Sequence, residues 1–370
     1  MDAVVLGPSG LRVSRLCLGT ATFGNRDWGS DEAESRLILD HYLEIGGNFL
    51  DTANKYADGH SEQTLGRLLR GRRDRVVLAT KYTASMDDGD LNSSGNHRKN
   101  LVASLEASLR RLQTDYVDIL WMHAWDGVTP IEELMRALDD QVRAGKVGCV
   151  GISNAPSWMM AWANATAALR GWSPFVAVQG EYSLLERGAE RELLPMARYF
   201  GLGYLAWAPI GQGRLTGKYS GASAGQADTG QASAGQADTG QADTGQRRLT
   251  PEEALMLPAQ HQIVAENLAV ARETGLQPAA VALRWIMQRQ PFVIPVLGAR
   301  SHGQFEANLA CLDRALPADQ MERLTAVSAI DPGSPARFMR GGPGRDFMWG
   351  KAGKVLPRLA QAREPWWEIR

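Results

Sequence analysis

The alternation of short apolar runs with helical patterns constrains the fold of this chain more than any other feature. Eight runs have the length and the apolar character of buried strands. They lie at residues 15–19, 47–51, 75–81, 116–123, 146–153, 174–179, 202–207 and 291–295. Strands that are buried on both faces are typical of parallel sheets, whose neighbouring strands are joined by helical crossovers.

Amphipathic helical patterns occupy the segments between these runs. Leucines recur at helical spacing over residues 98–113. Residues 129–145 predict another helix, with Thr129 and Glu132 forming a capping box and Gly145 at the C-terminal cap. Eight strand–helix units of roughly 30 residues each indicate a closed (β/α)8 TIM barrel. A doubly wound open sheet is the alternative, but the GxGxxG turn that usually follows its first strand is not present.

Three segments lie outside this pattern. Residues 3–16 predict a β-hairpin that could close the floor of the barrel. Residues 220–246 repeat a short GQADT-like unit with no aromatic and no aliphatic side chain larger than alanine, which predicts a flexible low-complexity insertion after the seventh strand. Residues 332–370 form a C-terminal extension. We therefore expect one barrel domain over residues 1–370 that carries this insertion and this tail.

Composition excludes several classes of function. The chain has 370 residues and a net charge of −1, so it has no basic surplus suited to nucleic acid or an anionic membrane. No apolar run approaches the ~20 residues that span a bilayer, and the N-terminus lacks the charge order of a signal peptide. Cys17, Cys149 and Cys311 are odd in number and have no CxxC spacing, which favours reduced thiols in a cytoplasmic protein.

Four reactive side chains follow neighbouring predicted strands. Asp51, Lys81 and His123 stand at the ends of the second, third and fourth strands, and Tyr56 lies in the loop after the second. All strands of such a barrel open on one face at their C-terminal ends. We therefore expect an acid, a phenol, an amine and an imidazole to meet at the mouth of the barrel.

These groups suit reversible proton transfer to a carbonyl oxygen during hydride transfer. An unperturbed tyrosine titrates near ~10, and a neighbouring lysine ammonium favours its phenolate form. Asp51 would hold Lys81, and His123 would orient the substrate oxygen. Each residue alone also has an ordinary explanation, such as a rim ion pair or a buried histidine. The sequence contains no HExxH metal spacing and no GxSxG nucleophile elbow, so we predict no metal.

The chain resembles the aldo-keto reductases, and especially the branch that includes bacterial aryl-alcohol-dehydrogenase-like enzymes. The resemblance extends from Leu6 to about residue 330 and includes "NFLDTANKYADGHSEQTLGRLL", "TDYVDILWMHAWD", "LAWAPIGQGRLTGKY" and "IPVLGARSHGQFEANL". It implies a catalytic tetrad of Asp51, Tyr56, Lys81 and His123, with Tyr56 as the proton donor. It also implies that NADPH binds in an extended form across the barrel mouth.

The same resemblance implies roles for further positions. Ser153, Asn154 and Gln179 would bind the nicotinamide carboxamide, and Trp207 would stack on the ring. The residues that match the family's pyrophosphate loop are Pro209, Gly211, Gly213, Leu215 and Lys218. The residues that match its adenosine-phosphate segment are Gly298, Arg300, Gln304 and Asn308. Arg300 suits a 2′-phosphate and favours NADPH over NADH. One position departs from the family pattern, because Ala307 stands where an acidic residue often contacts adenine.

Aromatic residues predict the character of the substrate pocket. Trp28 follows the first strand, Trp125 follows His123, and the tail adds Phe347, Trp349, Trp366 and Trp367. Such walls suit an aromatic aldehyde or ketone, or a keto sugar. We predict a carbonyl reductase or alcohol dehydrogenase with a small-molecule substrate. The alternative is a nucleotide-binding, redox-sensing regulatory subunit. The sequence indicates neither the physiological substrate nor the oligomeric state.

Overall fold

Eight parallel strands close into a barrel, as the sequence predicted. The computed structural model describes residues 1–220, 248–340 and 347. The barrel strands are β3 (Cys17–Gly19), β4 (Phe49–Asp51), β5 (Val77–Tyr82), β6 (Val117–Met122), β7 (Val147–Ser153), β8 (Phe175–Glu181), β9 (Gly203–Trp207) and β10 (Val293–Leu297). Each pairs with its neighbours along the chain, and β10 pairs with both β9 and β3 to complete the circle.

Helices surround this barrel. They are α1 (Glu32–Glu44), α2 (His60–Leu68), α3 (Arg98–Leu112), α4 (Ile131–Arg143), α5 (Ser157–Arg170), α6 (Leu193–Phe200), α7 (Pro251–Ala254), α8 (Pro258–Thr274), α9 (Pro278–Arg289), α10 (His302–Asp313), α11 (Ala318–Val327) and α12 (Ala336–Arg340). Their apolar faces pack on the outside of the strands and form the larger of two hydrophobic clusters. Among the residues described, no helix has the length and hydropathy needed to cross a membrane.

The capping box predicted at the start of α4 is wrong. The N-cap is Pro130, which has no side-chain capping bond, and the helix begins at Ile131. The hydroxyl of Thr129 donates instead to Asp126, 2.6 Å away, and Asp126 also accepts from the backbone N–H of Thr129. The hydroxyl of Thr129 is therefore bonded within a turn to Asp126 and does not cap α4 as the sequence pattern had predicted. The C-terminal prediction is confirmed, because Gly145 follows the helix with φ +72°.

The N-terminal hairpin closes one end of the barrel. Its strands are β1 (Ala3–Val5) and β2 (Arg12–Ser14), which pair antiparallel. Leu6 and Val13 belong to the second hydrophobic cluster, which also contains interior barrel side chains such as Phe49 and Trp121. The predicted insertion at 220–246 and the tail tryptophans Trp349, Trp366 and Trp367 lie outside the described residues, apart from Ser220 itself.

We expect Leu6→Ala to destabilise the fold strongly. Leu6 is 1% exposed in the barrel floor, and its truncation leaves a cavity among interior side chains. A loss of about 2–5 kcal/mol in the free energy of unfolding is the usual cost of such a change. Urea denaturation measures it. Val5→Ala on the same hairpin is the matched control, since Val5 is 58% exposed. Equal losses in both variants would contradict a floor packed by Leu6.

Candidate active site

The period of two along each strand brings the predicted polar residues onto the interior of the barrel. Alternate residues of a strand share one face. Val77 and Ala79 of β5 face the interior cluster, so Lys81 continues that face one step nearer the mouth. The same spacing relates Phe49 to Asp51. It also relates Cys149 to Ser153, Ala177 to Gln179, Leu205 to Trp207, and Ile119 and Trp121 to His123. The polar side chains therefore form a layer at the mouth of the barrel, above the apolar side chains of its interior.

Lys81 links the acid and the phenol of this layer. Its Nζ lies 2.5 Å from a carboxylate oxygen of Asp51 and 3.0 Å from the hydroxyl of Tyr56. A third bond runs to the carbonyl of Thr52, at 2.9 Å. Burial alone would lower the pKa of Lys81, but the charges and hydrogen bonds of Asp51 and Tyr56 together outweigh it and hold that pKa above its ordinary value. The ammonium is thus charged at neutral pH although its side chain is fully buried.

Gln179 completes the contacts of Asp51. Its amide Nε2 donates to the second carboxylate oxygen at 3.1 Å. Both oxygens of Asp51 are therefore occupied, one by an ammonium and one by an amide. This double contact fixes the orientation of the carboxylate and, through it, the position of Lys81.

His123 faces Tyr56 across the bottom of the same site. The two ring centroids are 6.1 Å apart, and the planes are nearly perpendicular. Burial, with a further contribution from the charge of Lys81, lowers the pKa of His123 to about 3. The imidazole is therefore neutral at physiological pH. A neutral imidazole has one N–H donor and one acceptor nitrogen, so it can donate a hydrogen bond to a substrate oxygen without carrying charge.

A cleft with a volume of about 310 Å³ opens above these groups. Of the residues predicted from the sequence, it is lined by Trp28, Asp51, Tyr56, His123, Asn154, Gln179, Trp207, Pro209, Gly213, Lys218, Gly298, Arg300 and Gln304. Residues from the ends or following loops of seven strands thus meet at one opening. Asn154 is held there by its own side chain, whose amide donates to the carbonyl of His123 at 2.9 Å.

Seven predicted residues do not line this cleft. One is Phe347, which is 81% exposed and packs edge-on against Phe338. Lys81 lies beneath Tyr56, and Ser153 is fully buried with a hydroxyl that has no partner among the described residues. The side chains of Leu215 and Asn308 are buried, as is Gly211. Trp125 packs edge-on against Trp158, with ring centroids 5.4 Å apart.

The loop after β9 requires glycine at two positions. Gly211 and Gly213 have φ values of +57° and +92°, a region that side chains disfavour. A Cβ at Gly213 would lie 2.8 Å from Cε of Lys218, so the absence of a side chain lets this lysine fold over the loop. Three non-glycine residues that line the cleft also have left-handed backbone: Asn154, Ala208 and Gln212. Backbone strain of this kind concentrates at functional sites.

The segment after β10 forms the opposite wall. The backbone N–H of Arg300 donates to the side chain of Gln304 at 3.2 Å, and Ser301 caps α10 by accepting from the N–H of Gln304. Arg300 therefore stands directly before the N-terminus of a helix. A helix N-terminus beside a guanidinium favours anions such as phosphate.

Sequence reasoning missed several residues of this cleft, including Thr22, Gln212 and Arg248. Arg248 is the most informative, because its guanidinium carbon lies 5.0 Å from the ring centroid of Trp28. It is separated from the family-like loop by the repeat and stands at no strand end. The signal that could have identified Arg248 is that it belongs to the long connection after β9, which begins with "PIGQGRLTGKY".

The arrangement of strands, polar layer and cleft agrees with a comparison to known families. A family model described as "Aldo/keto reductase family" matches residues 15–329. The chain belongs to the aldo/keto reductase family. It is therefore an oxidoreductase that acts on carbonyl or alcohol groups of small molecules, and aldo/keto reductases generally use NADH or NADPH.

Individual relatives support the same assignment. Norsolorinic acid reductase stcV of Emericella nidulans is 37% identical over 356 residues, which cover 93% of this chain and 86% of the relative. Aryl-alcohol dehydrogenase GME11368 of Pestalotiopsis microspora is 36% identical over 348 residues, which cover 90% and 84%. The predicted similarity to aryl-alcohol dehydrogenases is confirmed. Both relatives are fungal, so they lend no support to a bacterial branch, and both are named as enzymes, so they do not support a regulatory subunit.

Proposed function

We propose that this aldo/keto reductase is an NADP(H)-dependent carbonyl reductase in which Tyr56 is the general acid and base. The observation that carries this proposal is the contact of Lys81 with both Asp51 and Tyr56, at 2.5 and 3.0 Å. The carboxylate of Asp51 holds the buried ammonium of Lys81 in a position where its charge lies next to the hydroxyl of Tyr56. Such a contact stabilises the phenolate that remains after the proton is given to a carbonyl oxygen.

The chain's own residues divide the work of proton transfer. When bound, the nicotinamide dinucleotide supplies or accepts the hydride at the carbonyl carbon. Tyr56 gives its proton to the carbonyl oxygen in reduction and takes it back in oxidation. Neutral His123 donates a hydrogen bond to that oxygen and orients it toward Tyr56. Lys81 offsets the developing negative charge, and Asp51 with Gln179 holds Lys81 in place.

The residues around the cleft fit a dinucleotide. Ser153 offers a buried hydroxyl without a partner in the described structure, which suits a carboxamide, and Trp207 offers a flat aromatic face for the ring. Gly213 and Lys218 suit a pyrophosphate, since the loop combines close backbone approach with a cation. Arg300, beside the N-terminus of α10, suits the adenosine phosphate. We also propose Gly298, Gln304 and Asn308 as neighbours of that phosphate.

We expect Arg300→Ala to weaken NADPH much more than NADH. Loss of a charged hydrogen bond to the 2′-phosphate costs about 1.5–3 kcal/mol, which corresponds to a ~10- to 150-fold higher dissociation constant for NADPH. NADH lacks this phosphate and should change by less than about threefold. Fluorescence titration measures both. Arg314→Ala, at the exposed end of α10, is the control. Equal losses for the two cofactors would contradict the assigned role.

For the substrate we propose an aromatic aldehyde or ketone. Trp28 borders the cleft, and one relative is named an aryl-alcohol dehydrogenase. Flat aromatic walls bind flat substrates through stacking. A steady-state assay of NADPH oxidation with aromatic aldehydes and keto sugars tests the proposal. Turnover of the aromatic members supports it, whereas no turnover across the panel with intact NADPH binding would overturn it.

We propose a cytoplasmic location. Cys17, Cys149 and Cys311 are all free thiols, which is the usual state of cysteines in a reducing compartment.

A further inference from the structure

We propose that Asn96 and Thr83 are positioning residues for His123, which they hold at the mouth of the barrel through its backbone. This inference rests on the proposed function and deepens it, because that function gives His123 the task of orienting the substrate carbonyl. Asn96 and Thr83 both lie in the connection between β5 and α3, and neither of them lines the cleft. Their contribution to the reaction therefore passes through His123.

The first observation concerns the imidazole of His123. Its Nδ1 atom is buried and has no hydrogen-bond partner in the part of the chain that the structure describes. A histidine that acts on a substrate is often oriented by a hydrogen bond from its other ring nitrogen to a carboxylate or a backbone carbonyl. Because Nδ1 of His123 makes no such bond to a described residue, the position of the ring depends on its packing and on the position of its own backbone.

The second observation is the set of hydrogen bonds that hold this backbone. The N–H of His123 lies 3.2 Å from the carbonyl oxygen of Tyr82 and 3.2 Å from the hydroxyl oxygen of Thr83. The carbonyl oxygen of His123 accepts from the side chain of Asn154. Thr83 makes its contact with a φ of +109°, a conformation that a β-branched residue adopts only when its surroundings enforce it.

The third observation is that Asn96 supplies contacts that enforce this arrangement. Its side chain is fully buried. Its amide Nδ2 donates to the hydroxyl of Thr83 at 3.0 Å and to the carbonyl of Ala124 at 2.9 Å. Its Oδ1 accepts from the backbone N–H of Asp126 at 2.7 Å, and the carboxylate of Asp126 accepts from the N–H of Asn96 at 2.7 Å. One side chain thus joins the connection after β5 to the residues that follow His123.

These contacts predict a specific kinetic effect. Without them, the backbone of His123 keeps its bonds to Tyr82 and Asn154 but loses its support from the connection after β5. A displacement of about 1 Å in a catalytic group can lower a rate by ~10²-fold. We therefore expect slower carbonyl reduction without a loss of cofactor binding, because the residues proposed to bind the dinucleotide lie elsewhere in the cleft.

Three variants test the inference, with benzaldehyde and NADPH as the probes. Thr83→Val removes the hydroxyl and keeps the branched shape, whereas Thr83→Ser keeps the hydroxyl. We expect kcat to fall ~10- to 100-fold in Thr83→Val and in Asn96→Ala. Thr83→Ser should keep most of the wild-type kcat. Fluorescence titration should show that all three variants bind NADPH as tightly as the wild type does.

A double-mutant cycle with His123→Ala separates positioning from a merely structural role. If Asn96 and Thr83 act through His123, neither Asn96→Ala nor Thr83→Val should lower kcat further once the imidazole is absent. A structural role would lower kcat by the same factor in both backgrounds. Asn164→Ala is the matched control, because the Asn164 side chain makes two hydrogen bonds to the backbone of Phe175 at the opposite end of the barrel. It should keep the wild-type kcat even where urea denaturation shows a loss of stability.

The outcomes distinguish this inference from the proposed function. Wild-type kcat in Thr83→Val, or equal losses with and without the imidazole, would overturn the positioning role and leave the proposed function intact. Wild-type kcat in His123→Ala would instead overturn the role that the proposed function gives to His123. If Asn96→Ala does not fold, Thr83→Val decides the question, because it replaces a single buried hydroxyl.

Discussion

Tyr56→Phe should lower kcat for carbonyl reduction by a factor of ~10²–10⁴, the usual contribution of a positioned general acid. The substitution removes one oxygen atom and keeps the ring that lies edge-on to His123. Without the hydroxyl, the carbonyl oxygen has no proton donor in contact with Lys81. We expect the dissociation constant of NADPH to stay within about twofold, because the lost group acts on the substrate. Stopped-flow reduction and fluorescence titration measure the two quantities separately.

A second phenol provides the control for this variant. The hydroxyl of Tyr116 donates to Asp74 at 3.0 Å on an exposed surface, and Tyr116 does not line the cleft. Tyr116→Phe removes the same oxygen atom elsewhere and should keep wild-type kcat. Substantial residual turnover in Tyr56→Phe would count against Tyr56 as the proton donor.

Lys81→Met should abolish most activity and also destabilise the protein. The substitution removes the ammonium that contacts Tyr56 and leaves the buried carboxylate of Asp51 with Gln179 as its remaining partner. Removing one member of a buried ion pair typically costs about 3–5 kcal/mol, because the other charge stays uncompensated. The expected fall in kcat is ~10²-fold or more. Urea denaturation and steady-state kinetics measure the two effects.

The double variant Lys81→Met/Asp51→Asn separates these effects. Replacing the carboxylate with a neutral amide removes the uncompensated charge, so the double variant should recover much of the stability that the single variant loses. Activity should stay low, because the cation beside Tyr56 is still missing. Recovery of both stability and activity would show that Lys81 has a structural role alone.

The fold was predictable because its signals are local. Each barrel strand is a short apolar run, and each run falls between helical patterns, so the alternation identified all eight strands. Boundaries were less certain. The last strand was predicted to end at Pro295 but extends to Leu297, because β10 pairs with β9 through Pro295 and then with β3 through Val296 and Leu297. Pro295 has no backbone N–H to donate to the pairing with a neighbouring strand. The strand nevertheless continues, because β3 is a second neighbour with which its next residues pair.

The site was predictable where its residues stand at strand ends. Asp51, Lys81 and His123 were found in this way, because strand ends share one face of a barrel. Trp125 shows the limit of this argument. It is two residues from His123, yet its ring packs against Trp158 of α5, since proximity along a loop does not fix the direction of a side chain. Arg248 shows the converse, because its approach to Trp28 depends on a fold-level contact between distant loops.

The hairpin that carries Leu6 and Val13 has a kinetic consequence. With one end of the barrel sealed, ligands reach Tyr56 and His123 from the opposite end. Ligands therefore enter and leave through the same opening, and the ligand that binds last dissociates first. If the proposed dinucleotide binds deeper in the cleft than the substrate, we expect it to bind first and to dissociate after the product. For the proposed reduction, we then expect the alcohol product to slow the exchange of the dinucleotide.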